Sequence, residues 1–338
     1  MARIGVLGAG TWGMALARML CRIGHEVVVW SALSAEIEAL EAGRPHPHLP
    51  GIDLPQELRY TVSMAEVCRE RDILLFAVPS VYVRQTAAAA RPHVPDEQVI
   101  VDVAKGLEKD SLLPLSQVIR EELEQGSGPR HVRVVALSGP THAEEVARDL
   151  PTTIVSACED LEAAEYVQDI FMNTCLRVYT NPDPLGVELC GALKNIIALA
   201  AGMCSGLGLG DNAKAALLTR GMAEITRLGL KMGCRAETFY GLAGIGDLIV
   251  TATSQHSRNN RAGFLMGQGM SPRQASEAVG MVVEGLNALP AAVQLAARHQ
   301  VDMPIVQAVQ AVVMGVTPPM DAVMALMTRG RRSEADDA

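Results

Sequence analysis

Along its first half the chain alternates short apolar, β-branched runs with longer stretches whose apolar residues recur at helical spacing. Ile4–Leu7, Glu26–Trp30, Asp72–Val78, Val99–Val103 and Val132–Leu137 have the strand pattern, and Trp12–Ile23 has the helical one. Near-continuous apolar strands separated by helical segments predict a parallel sheet covered on both faces. Thr152–Ser156 and Leu176–Tyr179 predict two more strands, joined by a crossover helix over Leu161–Phe171. After Asn181-Pro-Asp-Pro184 the pattern changes. From Leu185 to Arg329 no strand period remains, only Ala-, Leu- and Met-rich helical runs punctuated by Gly and Pro. The Pro-rich stretch is a natural hinge. The pattern thus predicts an α/β, doubly wound domain over 1–182, an all-α domain over 183–330 and a disordered polar tail at 331–338.

Length agrees with this division, since 338 residues are long for one hydrophobic core. The longest apolar stretch, Leu185–Met203, carries Glu188, Lys194 and Asn195, which argues for a helix buried in protein and against a membrane span. Charge narrows the partners. With 29 Lys and Arg against 38 Asp and Glu the net charge is −9, and the one basic cluster is the short Arg329–Arg332 stretch. Nucleic acid and anionic membranes are therefore poor partners, and an anionic substrate has to be captured by local groups. The seven cysteines are scattered, without a C-x-x-C, as expected of reduced thiols in a cytoplasmic protein. The histidines form no H-x-x-x-H, so no metal site is expected. Met1 leads directly into a strand-like run, so no signal peptide is expected either.

Three segments carry chemistry. Gly8-Ala9-Gly10-Thr11-Trp12-Gly13 stands between an apolar strand and an amphipathic helix. There Gly8 permits a tight turn, Gly10 lets a pyrophosphate approach the backbone and Gly13 allows close helix–strand packing, which makes the first domain Rossmann-type. A structural strand–helix turn is the plainer alternative. The acid that usually marks NAD selectivity is absent, because the end of the second strand reads Trp30-Ser31-Ala32-Leu33. Ser31 can bond either a ribose hydroxyl or a 2′-phosphate, so NAD against NADP stays open. Second, Val187–Leu199 sets Lys194 amid apolar neighbours, a costly position unless the lysine faces a cleft or a charged partner. Such a lysine serves as acid or base for a hydroxyl/carbonyl pair, or it belongs to a structural ion pair. Third, Gly241–Asp247 and Ser257-Arg258-Asn259 offer backbone N–H groups, a hydroxyl, an amide and a guanidinium, an inventory suited to phosphate or carboxylate. Taken alone, Ser257–Asn259 reads better as a solvated loop.

Together these segments resemble the NAD(P)-dependent sn-glycerol-3-phosphate dehydrogenases of the bacterial soluble type. The resemblance rests on GAGTWGMALA from Gly8, FAVPS at 76–80, VAKGLE around Lys105 and SGPTHAEEVA from Ser138. ELCGALKNIIALAAG from Glu188, GLAGIGDLIVTAT from Gly241 and SRNN from Ser257 continue it, so that nearly the whole chain is covered. It implies reversible hydride transfer between NAD(P)H and dihydroxyacetone phosphate, giving sn-glycerol 3-phosphate for phospholipid synthesis. By the same resemblance Lys194 is the proton carrier, Lys105 a second active-site lysine and Asp247 an acid on the substrate hydroxyl. Gly139, Thr141, Asn195, Ser257, Arg258 and Asn259 fall at substrate-binding positions, with Arg258 as the phosphate grip. Thr11, Trp12, Lys105, Ala143, Arg258, Val283 and Glu284 fall at dinucleotide-contacting positions, beside Gly8, Gly10, Gly13 and Ser31. A homodimer is the family habit.

Two positions depart from the family pattern. His142 replaces an aromatic residue in the Ser-Gly-Pro loop. His48 replaces a tyrosine in Pro45–Pro50 and is expected to line the cofactor cleft. Three rival readings are weaker. A β-hydroxyacid dehydrogenase commonly sets Asn four residues beyond its lysine, where this chain has Ala198. A nucleotide-sugar dehydrogenase would use Cys190 as nucleophile, against the apolar surroundings of that thiol. A non-catalytic NAD(H) sensor would leave Lys105, Lys194, Asp247 and Arg258 without a purpose.

Overall fold

Among the described residues, the apolar runs of the first half become eight strands: β1 (Arg3–Leu7), β2 (Glu26–Trp30), β3 (Arg59–Thr61), β4 (Ile73–Phe76), β5 (Val99–Asp102), β6 (Arg133–Ser138), β7 (Thr152–Ala157) and β8 (Leu176–Asn181). The computed structural model describes residues 1–126, 128, 129, 131–331 and 333. The disordered tail expected at 331–338 lies outside these residues, apart from Arg331 and Ser333.

The strands form one sheet in the order β3-β2-β1-β4-β5-β6-β7-β8. Every neighbouring pair is parallel except β6 and β7. The sheet is thus parallel as expected, with that one antiparallel pair as a local exception. The connection from Ser138 to Thr152 holds only the one-turn helix Ala143–Val146, and it turns the chain back instead of crossing over the sheet. β3 escapes the pattern because it has three residues, of which Thr61 alone is buried. β1 lies between β2 and β4, so the chain order reverses there and leaves a crevice at the carboxyl ends of these strands, the usual ligand position in open α/β sheets.

Two compact units emerge, 1–104 with 115–184 and 105–114 with 185–338. The unexpected member of the second unit is 105–114. This loop closes on itself through a Leu107–Pro114 bridge, and its Leu107 and Leu112 are buried in the helical core, which explains where it belongs. The first unit packs the apolar faces of Thr11–Arg22 and Leu161–Phe171 on the sheet, with Ile4, Val6, Met14, Leu16, Leu75 and Phe171 fully buried.

The helix Pro184–Gly206 is the axis of the second unit, and every residue from Gly186 to Cys204 is buried. By length and composition it could cross a membrane, but its apolar window is wholly covered by protein. Close backbone contact explains its small residues. A Cβ on Gly202 would lie 2.1 Å from the Asn260 carbonyl oxygen, and one on Gly263 would lie 1.9 Å from that of Leu199. Behind it, Glu224 of the Asp211–Lys231 helix accepts the backbone N–H groups of Ile305 (2.8 Å) and Val306 (3.3 Å), capping Pro304–Val313. Burial raises the Glu224 carboxyl to about 7, despite those two N–H bonds. All seven cysteines are free thiols, buried except for the half-buried Cys175.

Candidate functional site

In the first unit β1 ends at Gly8, whose φ of +123° is a conformation that side chains disfavour. Its N–H donates to the Trp30 carbonyl (2.9 Å), tying the turn to the end of β2. A Cβ at Gly13 would lie 2.2 Å from the Gly8 carbonyl oxygen, so helix and turn pack with no side chain between them. At Gly10 the same test meets nothing within 4 Å. No side chain caps the helix Thr11–Arg22, and the buried Thr11 hydroxyl has no partner among the described residues. Open space, unclaimed first-turn N–H groups and an orphaned hydroxyl fit a dinucleotide pyrophosphate. The turn residues Gly8, Gly10, Thr11, Trp12 and Gly13 therefore stand together as the motif requires.

Its surroundings hold two surprises. His48 is exposed, and the histidine that reaches the turn is His46. The His48 N–H donates to His46 Nδ1 (3.3 Å), which leaves the proton on Nε2 to bond the Ala9 carbonyl oxygen (3.1 Å). Burial lowers the His46 pKa, in keeping with this neutral tautomer. At the end of β2, Ser31 is not alone either. Its hydroxyl accepts the Leu33 N–H (3.1 Å) and donates to Glu36 Oε2 (2.6 Å). The expectation of a strand end without an acid is corrected, because the Ser34–Glu41 helix folds one back. Gly139 and Thr141 follow β6, with the Thr141 hydroxyl donating to the Gly139 carbonyl oxygen (3.3 Å), and Ala143 starts a one-turn helix that packs on Thr11–Arg22. The buried Ser138 hydroxyl beside them is unpartnered among the described residues.

The second unit builds its cluster from three distant segments. Asp247, fully buried, opens the helix Asp247–Thr253. Lys194 Nζ donates to Asp247 Oδ1 and to the Thr251 hydroxyl (2.6 Å), while Lys105 Nζ donates to Asp247 Oδ2 (2.7 Å). One carboxylate thus bridges two lysines. Thr251 shares its helix face with Asp247, four residues earlier, and sequence reasoning passed it over within GDLIVTAT. Burial pushes the Lys194 ammonium down to about 7; Asp247 opposes this shift and Lys105 adds to it. A lysine poised there can both take and give a proton near neutral pH.

Other expected substrate residues also bond within the protein. Asn195 Nδ2 donates to the Gly191 carbonyl oxygen (3.0 Å), and its Oδ1 accepts from Asn259 Nδ2 (2.8 Å). Asn259 Oδ1 in turn accepts the Gly285 N–H (2.8 Å). Ser257 caps Arg258–Gly267 by accepting the Asn260 N–H (3.2 Å). This amide relay pins the starts of the Arg258 and Glu284 helices beside Lys194, with Val283 buried at the second start. Arg258 itself is half-buried and makes no hydrogen bond or ion pair among the described residues, leaving its guanidinium for an anion.

A doubly wound unit with a glycine turn at its switch point, and a helical unit with a lysine poised near neutrality, define a class: the two-domain nicotinamide-dependent dehydrogenases. Within that class the chain belongs to the NAD-dependent glycerol-3-phosphate dehydrogenase family. The family's N-terminal model matches residues 3–164 and its C-terminal model matches 183–324. A glycerol-3-phosphate dehydrogenase [NAD(P)+] of Lactobacillus delbrueckii subsp. bulgaricus is 62% identical over 334 residues, covering 99% of each chain. One from Bacillus subtilis is 47% identical over 340 residues, covering 100% of this chain and 97% of that one. The crystal structure of the Coxiella burnetii glycerol-3-phosphate dehydrogenase superposes with a TM-score of 0.91 at 35% identity, covering 97% of this chain and 99% of that one.

Proposed function

We propose that this chain interconverts dihydroxyacetone phosphate and sn-glycerol 3-phosphate using NAD(H) or NADP(H), with Lys194 as proton carrier. The observation that carries the reading is the Lys194–Asp247–Lys105 cluster with its lysine brought to about 7. When bound, the nicotinamide supplies hydride to the substrate C2 or takes it up. In the reducing direction the Lys194 ammonium gives its proton to the C2 carbonyl oxygen as negative charge develops there. In the oxidising direction neutral Lys194 takes the C2 hydroxyl proton. Lys105 sets positive potential beside that oxygen, and Asp247 holds both lysine side chains in place. Arg258 grips the phosphate, with Gly139 and Thr141 on the substrate and Ala143, Val283 and Glu284 toward the dinucleotide.

We also assign the chain to the cytoplasm, as a homodimer whose product feeds phospholipid synthesis. The exposed apolar side chains of Met314, Val316, Met324 and Met327 on the helical unit support self-association. Light scattering tests this against the 36.0 kDa of a single chain. The test of the activity is the loss of NADH and of NADPH absorbance with dihydroxyacetone phosphate as substrate. Turnover with at least one is expected, and turnover with neither overturns the reading.

A further inference from the structure

The end of β2 carries an acid that the linear sequence conceals. Ser31 is 5% exposed, and its hydroxyl is held on one side by the Leu33 N–H and aimed on the other at Glu36 Oε2. Glu36 lies in the first turn of the Ser34–Glu41 helix, where the helix dipole favours a negative charge. Its Oε1 accepts no hydrogen bond among the described residues, and the side chain is exposed. One hydrogen bond ties the end of β2 to the glycine turn. Gly8 N–H holds the Trp30 carbonyl, and His46, close enough to feel the Glu36 charge, holds the Ala9 carbonyl. Neither Ser31 nor Glu36 is paired with an arginine or lysine among the described residues.

We propose that Glu36, anchored through Ser31, reads the ribose hydroxyls of the dinucleotide's adenosine half and makes this chain favour NAD(H) over NADP(H). The proposal rests on the dinucleotide reading of the first unit and fixes the selectivity that reading leaves open. A carboxylate oxygen accepts hydrogen bonds from the 2′ and 3′ hydroxyls of NAD(H). The 2′-phosphate of NADP(H) brings like charge to the same corner, where neither Ser31 nor Glu36 is joined to a cation among the described residues. The usual acid follows its strand directly, whereas here the helix start returns it from five positions beyond Ser31.

The experiment is direct binding of NADH and of NADPH, followed by dinucleotide fluorescence, to the full chain and to Glu36→Gln and Glu36→Arg. The unaltered protein is expected to bind NADH at least about tenfold more tightly than NADPH, a difference of about 1.4 kcal/mol. Glu36→Gln should bring the two affinities within about threefold of each other, chiefly by improving NADPH, and Glu36→Arg should reverse the preference. Competition by 2′-phosphorylated against plain adenosine monophosphate should shift in parallel. Equal affinities in the unaltered protein overturn the proposal and leave the dinucleotide reading standing. So does a preference that neither substitution moves while thermal melting shows both variants folded. Failure of the unaltered protein to bind either dinucleotide overturns both.

Discussion

The two units build their sites from opposite materials. In the first, the glycine turn is made of backbone. Its chemistry depends on what Gly8, Gly10 and Gly13 lack, and all three lie within six consecutive residues. In the second, the cluster is made of side chains, and Lys105 meets Asp247 across 142 positions of sequence. A backbone site tolerates almost no added atoms, yet it asks little of the rest of the fold. A side-chain site can be rebuilt atom by atom, but it exists only once distant helices have packed. The first should therefore fail through sterics, and the second through chemistry with the fold intact.

Lys194→Ala makes the sharpest test. Turnover should fall by roughly 10²–10⁴-fold while dinucleotide affinity, measured by fluorescence titration, stays near that of the unaltered protein. Equal loss of both would mean that Lys194 supports the fold and not the reaction. The pH profile adds the sign. Oxidation needs neutral Lys194, so its rate should rise as pH passes through about 7, and reduction needs the ammonium, so its rate should fall over the same range.

Arg258→Ala comes next in size. The loss of a charge-assisted contact should raise the Michaelis constant for the phosphorylated substrate by about 1.5–3 kcal/mol with a smaller effect on turnover. An unchanged constant would place the phosphate grip elsewhere.

Gly13→Ala probes the backbone site, because its Cβ would meet the Gly8 carbonyl oxygen at 2.2 Å and Ala77 Cβ at 3.1 Å. Dinucleotide affinity should drop, and urea unfolding should show a stability loss of about 1–3 kcal/mol. A variant that binds and unfolds normally would show that the turn relaxes without cost, and the contrast between the units would dissolve.

Smallest is a pH effect on the fold of the helical unit. Glu224 holds its proton more tightly folded, at about 7, than unfolded, near 4.5. Its contribution is therefore complete below 4.5 and lost as pH rises through 7, an amount on the order of 1–3 kcal/mol. Glu224→Gln should flatten that part of the urea midpoint's pH dependence, and an unchanged slope would point to other groups.

Much of the fold was legible because it is local. β2 and the helix Leu161–Phe171 fall where the apolar periods place them, since period and burial are the same fact seen twice. β3 was not legible, being three residues with one buried position, and neither was the antiparallel β6–β7 pair, because strand direction is set by how a connection turns. Within the site the same line divides the residues. Gly8–Gly13 announces itself by spacing, and Lys194 by the cost of a charge among apolar neighbours. Thr251, His46 and Glu36 carry no such signal.

What the sequence determined by itself is the pair of folds and the two residue sets that need no partner to be recognised, the glycine turn and the lysine helix. Tertiary structure decided who meets whom. It placed 105–114 with the helical unit, because Leu107 and Leu112 are buried there. It turned Asn195, Ser257 and Asn259 inward to satisfy one another and the helix starts, since a buried amide left unpaired costs more than any contact it forgoes. It also returned Glu36 to Ser31 at a strand end that reads as uncharged. Periodicity records which face of an element is buried; only packing determines which polar groups that burial forces together.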